Sequence, residues 1–342
     1  MPVPPVSGIS FVIPAYDAAD TIIESIASVM AVAVALEGVE VEVVVVDDGS
    51  TDATAALVAA EFAAEPRVHL FRHRRNRGGA AARNTAVEHA SNAWIFCLDS
   101  DNLADPASLR RMVAMAATGN WDVVAPAETR YFQTSVERPT HSWFWDRETV
   151  EVADVLRMYE TPVASGNYLF TADVWARAGG YPEFAASLDA WGFGVRLLFE
   201  GARFGVCPET FYLHRQGHAS YYMRDNDDRR AVAAAQVLLP YLGRLSVRDQ
   251  KRLIGDGELL DFFAEIPTQP ITVDNADDPG PARRIVVQRN VPAQSALPQT
   301  TNRPGESRVR AAARRAWRDS SPRDSAQRLL RIVRRRRSAP DR

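Results

Sequence analysis

The stretch WIFCLDSDN, Trp94–Asn102, runs from an apolar segment straight into Asp99, Ser100 and Asp101. Two carboxylates one residue apart repel each other unless a cation or a set of donors lies between them. The apolar run has no polar alternation, so it reads as a strand buried on both faces. Its acids then stand at the carboxyl end of a sheet, where open α/β sheets bind their ligands.

The same design repeats toward the N-terminus. ISFVIPAY is a short apolar run ending at Pro14, read as a buried strand, and Asp20 is placed to cap a helix from Thr21 to about Leu36. VEVVVVDDGS is a Val-rich strand stopped by Asp47, Asp48 and Gly49. Thr51 to Ala64 reads as helix, Val68 to Arg72 as strand and Gly79 to Ala90 as helix. Beyond Asn102, Asp105 and Pro106 open a helix to Ala117, and WDVVAP is a fifth strand. Strands alternating with helices, and apolar on both faces, predict a parallel sheet covered on both sides. Three strand ends carry Pro14-Ala15-Tyr16, Asp47-Asp48 and Asp99-Ser100-Asp101, so the ligand rim is expected to be acidic. Such a rim suits a metal-bridged anion or the donors of a nucleobase and ribose, and does not suit a bare phosphate.

Composition sets the outer bounds. The 342 residues are 46% hydrophobic, enough for a sizeable core. The net charge of -3 hides an asymmetry: residues 281–342 carry 17 arginines against 4 acids, and the remainder is strongly acidic. Cys97 and Cys207 are the only cysteines, with no C-x-x-C, so a reducing cytosol is expected. MPVPPVSGIS has neither a charged n-region nor an apolar h-region, so no signal peptide is expected. The most apolar window, 26–46, is interrupted by Glu37, Glu40 and Glu42 and is not read as a membrane span.

Each motif has more than one physical reading. Asp99-x-Asp101 suits a divalent cation, because Mg²⁺ takes one or two carboxylates together with substrate phosphates, or it is an Asp-rich turn into the next helix. Asp47-Asp48-Gly49-Ser50 is a nucleoside grip, a receiver-type phosphorylation site, or a turn with Ser50 or Thr51 as N-cap. A receiver needs a lysine at the end of its fifth strand, and the single lysine of this chain, Lys251, lies far outside the sheet. NRGGAAARN, Asn76–Asn84, lacks G-x-G-x-x-G and does not follow the first strand, so it is not a dinucleotide fingerprint. Its Gly78-Gly79 allows close packing under a ligand. Arg83, one turn in, reaches a base or a diphosphate, or pairs with the acidic rim. Cys97 reads as core.

FVIPAYDAADTIIESIASV, VVVVDDGSTDAT, NRGGAAARNTAVEHA, WIFCLDSDN and SGNYLFTADVWARAGGYPE together, in this order over about residues 9–220, resemble the family 2 glycosyltransferases. The resemblance implies a GT-A (Rossmann-like) α/β fold, a mostly parallel sheet flanked by helices; beyond it the residue pattern adds a helical C-terminal extension and a disordered basic tail. It implies a nucleotide-sugar donor, with UDP favoured over GDP or dTDP. It places Pro14, Ala15, Tyr16 and Asp48 on the nucleoside, Arg83 near base and phosphates, and Asp99 with Ser100 on the ribose side. It also places Asp101 on Mn²⁺ or Mg²⁺. In this fold a histidine after the acceptor helix often completes the metal site, and His214, at the end of a strand-like run, is preferred over His218. The family's catalytic base is the Asp of a Glu-Asp pair. Here SLDAWGFGVRLL offers Asp189 behind Leu188, and an ungapped match through Arg196 would put Ala190 at the base position. Asp189 is the only acid of the segment and is taken as the base; the other reading is an N-cap for the helix Trp191–Phe199. Trp191 and Phe193 stack on sugar faces or belong to the core.

The chemistry that follows is direct displacement at an anomeric carbon, with inversion. A metal at Asp99/Asp101 stabilises charge on the departing phosphate, and a carboxylate on the opposite face takes the proton of the incoming hydroxyl. The acceptor is expected to be a glycan, a lipid-linked sugar or a polymer in cell-surface polysaccharide synthesis; no nucleic acid is expected. Two readings from other classes are an inert nucleotide-sugar-binding assembly protein, suggested by the broken Glu-Asp pair, and a nucleotidyltransferase. The latter keeps a Gly-rich basic loop near its first strand that IPAYDAAD lacks. The expected organisation is a nucleotide-sugar half (1–128), an acceptor and base half (129–225), a helical extension (226–266) and a linker with an Arg-rich tail (267–342). Val309, Trp317, Leu329 and Ile332 among the tail's arginines make a thin apolar stripe that could lie on an anionic membrane. The location expected is cytoplasmic, peripheral at the inner face of the plasma membrane.

Overall fold

The computed structural model describes residues 3–156, 160–216 and 227–246. Four parallel strands form one half of the sheet: β1 (Gly8–Ala15), β2 (Glu40–Asp47), β3 (Val68–Arg72) and β4 (Trp94–Cys97), in the order β3-β2-β1-β4. Their side chains alternate between two cores. Phe11, Ile13, Val43, Val45 and Phe96 face one layer, and Val12, Val44, Val46, Ile95 and Cys97 face the other. Helices α1 (Ile22–Ala35) and α4 (Pro106–Ala116) cover the first layer through Ile22, Ile26, Val29, Leu109 and Met112. Between them in the chain lie α2 (Thr54–Glu61) and α3 (Gly79–Glu88); α3 places Ala80, Ala82 and Ala86 on the second layer. Its alanines let the helix lie close to the sheet, which is why an Ala-rich stretch follows Gly78-Gly79.

The other half is mixed. β5 (Val123–Phe132) pairs antiparallel with the hairpin strand β6 (His141–Phe144) and with β7 (Leu169–Thr171), and parallel with β8 (Phe204–Arg215). β7 inserts antiparallel between β4 and β5, joining the halves. The predicted fifth strand therefore runs on to Phe132, and the hairpin strand β6 follows it. Helices α5 (Pro162–Ser165), α6 (Ala172–Ala178), α7 (Asp189–Phe199) and α8 (Asp227–Leu238) complete the chain up to the 3-10 turn Leu239–Arg244. Asp105 caps α4 as read, accepting from the Ser108 amide at 2.7 Å. Asp20 does not cap: α1 begins at Ile22, with Thr21 at the cap position.

Register fixes where the chemistry can sit. Ala15 pairs with Asp47, Asp47 with Arg72, and Val12 with Cys97, so the loaded residues leave the sheet at one edge. Among the described residues no helix is long and apolar enough to cross a membrane. His218, Lys251, the part of the extension beyond Ser246 and the basic tail lie outside the described residues.

One close approach decides how α7 is seated. A Cβ on Gly194 would fall against the Val163 carbonyl oxygen and 2.9 Å from Val163 Cγ1. Helix propensity alone favours alanine over glycine by roughly 0.5–1 kcal/mol. Overpacking against backbone costs about 1–3 kcal/mol, and a carbonyl cannot rotate away as a side chain can. Gly194→Ala is therefore expected to destabilise the protein, read as a lower urea midpoint at unchanged slope.

Candidate active site

An arginine holds Asp99. Arg83, on α3, donates from Nη2 to Asp99 Oδ1 at 2.7 Å and from Nη1 to Asp189 Oδ2 at 2.6 Å. One guanidinium thus ties the end of β4 to the first residue of α7. Burial pushes the Asp99 carboxyl up, but Arg83, with His214 and Asn167, pulls harder and leaves it below its ordinary value. For Asp189, which is 6% exposed, burial outweighs the same arginine and leaves the carboxyl raised. Burial disfavours the charged Arg83, yet its two carboxylates hold it firmly protonated. Of the two readings of Arg83, its contacts are those of a partner to the acidic rim. Asp189 does not cap α7 from outside; it is the helix's first residue, with Leu188 at the cap position.

The turn after β4 is pinned on several sides. Asn102, fully buried, donates to Asp99 Oδ2 at 3.3 Å and accepts from the Arg215 amide at 2.7 Å. Arg215 Nε donates to the Asp101 carbonyl at 2.9 Å, and its guanidinium also meets Glu24. Ser25 Oγ lies 2.9 Å from the Ser100 carbonyl and 2.7 Å from that of Asn102, fixing the turn to α1. Asn167 reaches the Cys97 carbonyl at 3.3 Å. Asn102, Asn167, Ser25 and Arg215 are functional neighbours that the residue-type reading missed. Asn102, Asn167 and Ser25 lie inside quoted motifs, whereas Arg215 lies outside them.

Asp48 is buried and committed. It accepts from the amides of Arg77 (3.0 and 3.1 Å) and Gly78 (2.7 Å), and its Oδ1 lies 2.6 Å from His73 Nδ1. The other ring nitrogen, His73 Nε2, lies 3.0 Å from the Thr85 hydroxyl. Asp48 therefore holds the loop 73–78 in place. Arg72, Arg74, Arg75 and Arg77 are all exposed there, so the rim is not uniformly acidic as its strand ends suggest. Asp47 accepts from the Ser50 amide and pairs with Arg72 Nε at 2.8 Å. Ser50 and Thr51 do not cap α2. Ser50 Oγ accepts from the Asp17 amide at 3.0 Å, and Asp17 Oδ1 accepts from the Thr51 amide at 2.8 Å. Asp17 sits at φ 48° in that clasp, which fixes the end of Pro14-Ala15-Tyr16 and leaves Tyr16 44% exposed.

His214 lies near the end of β8, electrostatically coupled to Asp99. Burial lowers its pKa against the pull of Asp99, so the ring is neutral near pH 7 and keeps a lone pair. Among the described residues no group of three or more His, Cys, Asp and Glu could hold a metal ion on its own. A neutral imidazole beside aspartates nevertheless fits Mn²⁺ or Mg²⁺ whose shell a ligand's phosphate oxygens complete. Trp191 (2% exposed) and Phe193 (0%) are core residues and present no face to a sugar. Cys97 is core as read, its thiol pushed up to about 11 chiefly by burial.

Removing the shared guanidinium leaves Asp99 and Asp189 facing each other without a counter-ion. Breaking a buried pair from one side costs about 3–5 kcal/mol. Arg83→Met is expected to lose that much in urea unfolding at pH 7. The sign with pH follows: an unpaired buried Asp189 has its folded pKa raised further above the unfolded value, so its protonated form favours folding. The deficit should therefore shrink as the pH falls toward 4 and be largest at neutral pH. A deficit independent of pH would refute the bridging assignment.

A family model described as Glycosyl transferase family 2 matches residues 10–172. The succinoglycan biosynthesis protein ExoO of Rhizobium meliloti is 49% identical over 127 residues, 35% of this chain and 35% of that protein. The Escherichia coli protein WfgD, a UDP-Glc:alpha-D-GlcNAc-diphosphoundecaprenol beta-1,3-glucosyltransferase, is 36% identical over 112 residues, 33% of this chain and 42% of that one. Each match thus spans well under half of the curated relative's length. The crystal structure of Staphylococcus aureus TarS 1-349 in complex with UDP-GlcNAc superposes with a TM-score of 0.59 at 16% identity, over 76% of this chain and 73% of that one. Residues 10–172 thus match the glycosyltransferase family 2 model, and the chain has the GT-A fold.

Proposed function

We propose that the chain is an inverting glycosyltransferase that moves a sugar from a nucleoside-diphosphate donor, with UDP favoured, to a hydroxyl of a glycan, lipid-linked or polymer acceptor in cell-surface polysaccharide synthesis. The observation that carries this reading is the Arg83 bridge, 2.7 Å to Asp99 and 2.6 Å to Asp189. It brings a strand-end acid of the donor half within one guanidinium of the acid that opens α7. ExoO is a succinoglycan biosynthesis protein, WfgD is a glucosyltransferase that takes UDP-Glc, and TarS is seen in complex with UDP-GlcNAc, which supports a nucleotide sugar as donor.

In this reading Pro14, Ala15 and Tyr16 border the nucleoside, and Asp48 keeps the 73–78 loop against it. Asp99 and Ser100 lie on the ribose side, and Asp101 and His214 would hold Mn²⁺ or Mg²⁺. When bound, the metal supplies Lewis-acid stabilisation of the charge on the leaving diphosphate. Asp99 and Asp189 share one arginine, so this part of the site carries a net negative charge and a diphosphate needs an added cation to enter. Asp189 Oδ2 takes the proton of the acceptor hydroxyl, and its raised pKa makes it a stronger base than an ordinary carboxylate. Arg83 keeps it oriented toward Asp99 and stabilises it as an anion between turnovers.

Two outcomes test the assignment. Asp189→Ala should lower turnover by about two to four orders of magnitude, while donor affinity, measured by calorimetry, stays close to wild type. Activity requires the ionised base, so it should be present at neutral pH and fall as pH drops through a pKa above the usual carboxylate value of about 3.9. Asp101→Asn should lose most turnover and most metal-dependent donor binding while keeping the wild-type circular dichroism. Near wild-type turnover in either variant would sink the corresponding role.

A further inference from the structure

The β5–β6 hairpin carries aromatic residues that neither the donor site nor the proposed base uses. Tyr131 and His141 face each other across the two strands, and their rings stack with centroids 4.1 Å apart and planes 8° apart. Trp143, two residues on, lies on the same face of the strand. His214 tilts against the other side of Tyr131, with centroids 4.9 Å apart. The aromatic surface is thus continuous from His214, beside Asp99, out to His141, which is exposed.

Polar groups fringe this surface. Thr140 Oγ1 lies 3.3 Å from His141 Nδ1 and 2.9 Å from Gln216 Oε1. Glu160, held at φ 53°, acts electrostatically on both Tyr131 and His141. A flat ring with a carboxylate, an amide and a hydroxyl at its edge matches a pyranose, which presents an apolar C–H face ringed by hydroxyls. Stacked aromatics without such a fringe would be ordinary packing. Trp191 and Phe193, the aromatics nearest Asp189 in sequence, are buried and cannot serve.

We propose that the outer face of His141, stacked on Tyr131 and flanked by Thr140, Gln216 and Glu160, is the platform on which a pyranose ring of the acceptor lies. This rests on the glycosyl-transfer reading above and adds to it the recognised chemistry and the residues that recognise it. The platform begins at His214, so a sugar lying on it extends toward the Asp99 end of the site. Its occupant is a saccharide, recognised by ring face and hydroxyls, with no charge required.

The test is saturation-transfer NMR on the full-length chain with methyl β-D-glucopyranoside and methyl β-D-galactopyranoside as probes. Saturation should reach the C–H protons of one ring face. Binding should weaken about five- to tenfold in His141→Ala, the loss of one stacking contact. Phe144, 62% exposed, lies on the opposite face of the same strand, so Phe144→Ala should leave binding unchanged and controls for disturbance of the hairpin. Release of UDP from UDP-sugars in the absence of acceptor should be the same in Phe144→Ala as in wild type. Absence of that hydrolysis in the wild type would count against glycosyl transfer itself. Unchanged saccharide binding in His141→Ala, equal loss in Phe144→Ala, or no saturation transfer in the wild type would each overturn the platform.

Discussion

One guanidinium organises this site. Arg83 meets Asp99 and Asp189 at hydrogen-bonding distance from two different elements. Each such contact is worth about 4 kcal/mol of attraction at an effective dielectric of about 20. Desolvating the partners costs several kcal/mol per ion, so the bridge contributes little net stability. Its consequence is positional. Two acids share one positive charge, one carboxyl sits below its usual pKa and the other above, and the end of β4 is held at a fixed distance from the start of α7.

The surroundings make that geometry hard to alter. Gly79 leaves room for the bridge, since a Cβ there would lie 2.9 Å from Arg83 Nη1 and 3.3 Å from Asp189 Oδ2. Asn84, the next residue on α3, pairs through its side chain with both the amide and the carbonyl of Tyr181, at 2.8 and 2.9 Å. That contact ties α3 to the segment leading into α7. The approach to Asp189 passes through Ala186 at φ 48° and ψ -121°, an uncommon conformation for a residue with a Cβ. The GGAAARN stretch thus combines close approach, charge and a second-side anchor within one helix.

The donor half was legible because its signals are local. Apolar runs gave β1, β2 and β4, the last two leading into acids, Asp105-Pro106 gave the start of α4, and Val68–Arg72 was read with its observed bounds. The acceptor half was harder. β7 has three residues, too short for periodicity to register, and it runs antiparallel where alternation of strand and helix suggests parallel. The reading of Arg83 as a partner of the acidic rim is met by its contacts to Asp99 and Asp189. Arg215 and Ser25 were invisible, because their roles depend on β8 and α1 meeting the Asp99–Asn102 turn across long separations in sequence. The breadth of Asp48's commitment to a loop 29 and 30 residues away was likewise a tertiary fact.

If the bridge is one working unit, removing either end should remove the same function. The direct measurement is a double-mutant cycle on turnover, with Arg83→Met, Asp189→Asn and the two combined. Coupled groups are non-additive, so the double variant should lose little more than the more damaged single one. Losses that multiply, as they would for two residues acting independently, would contradict the account.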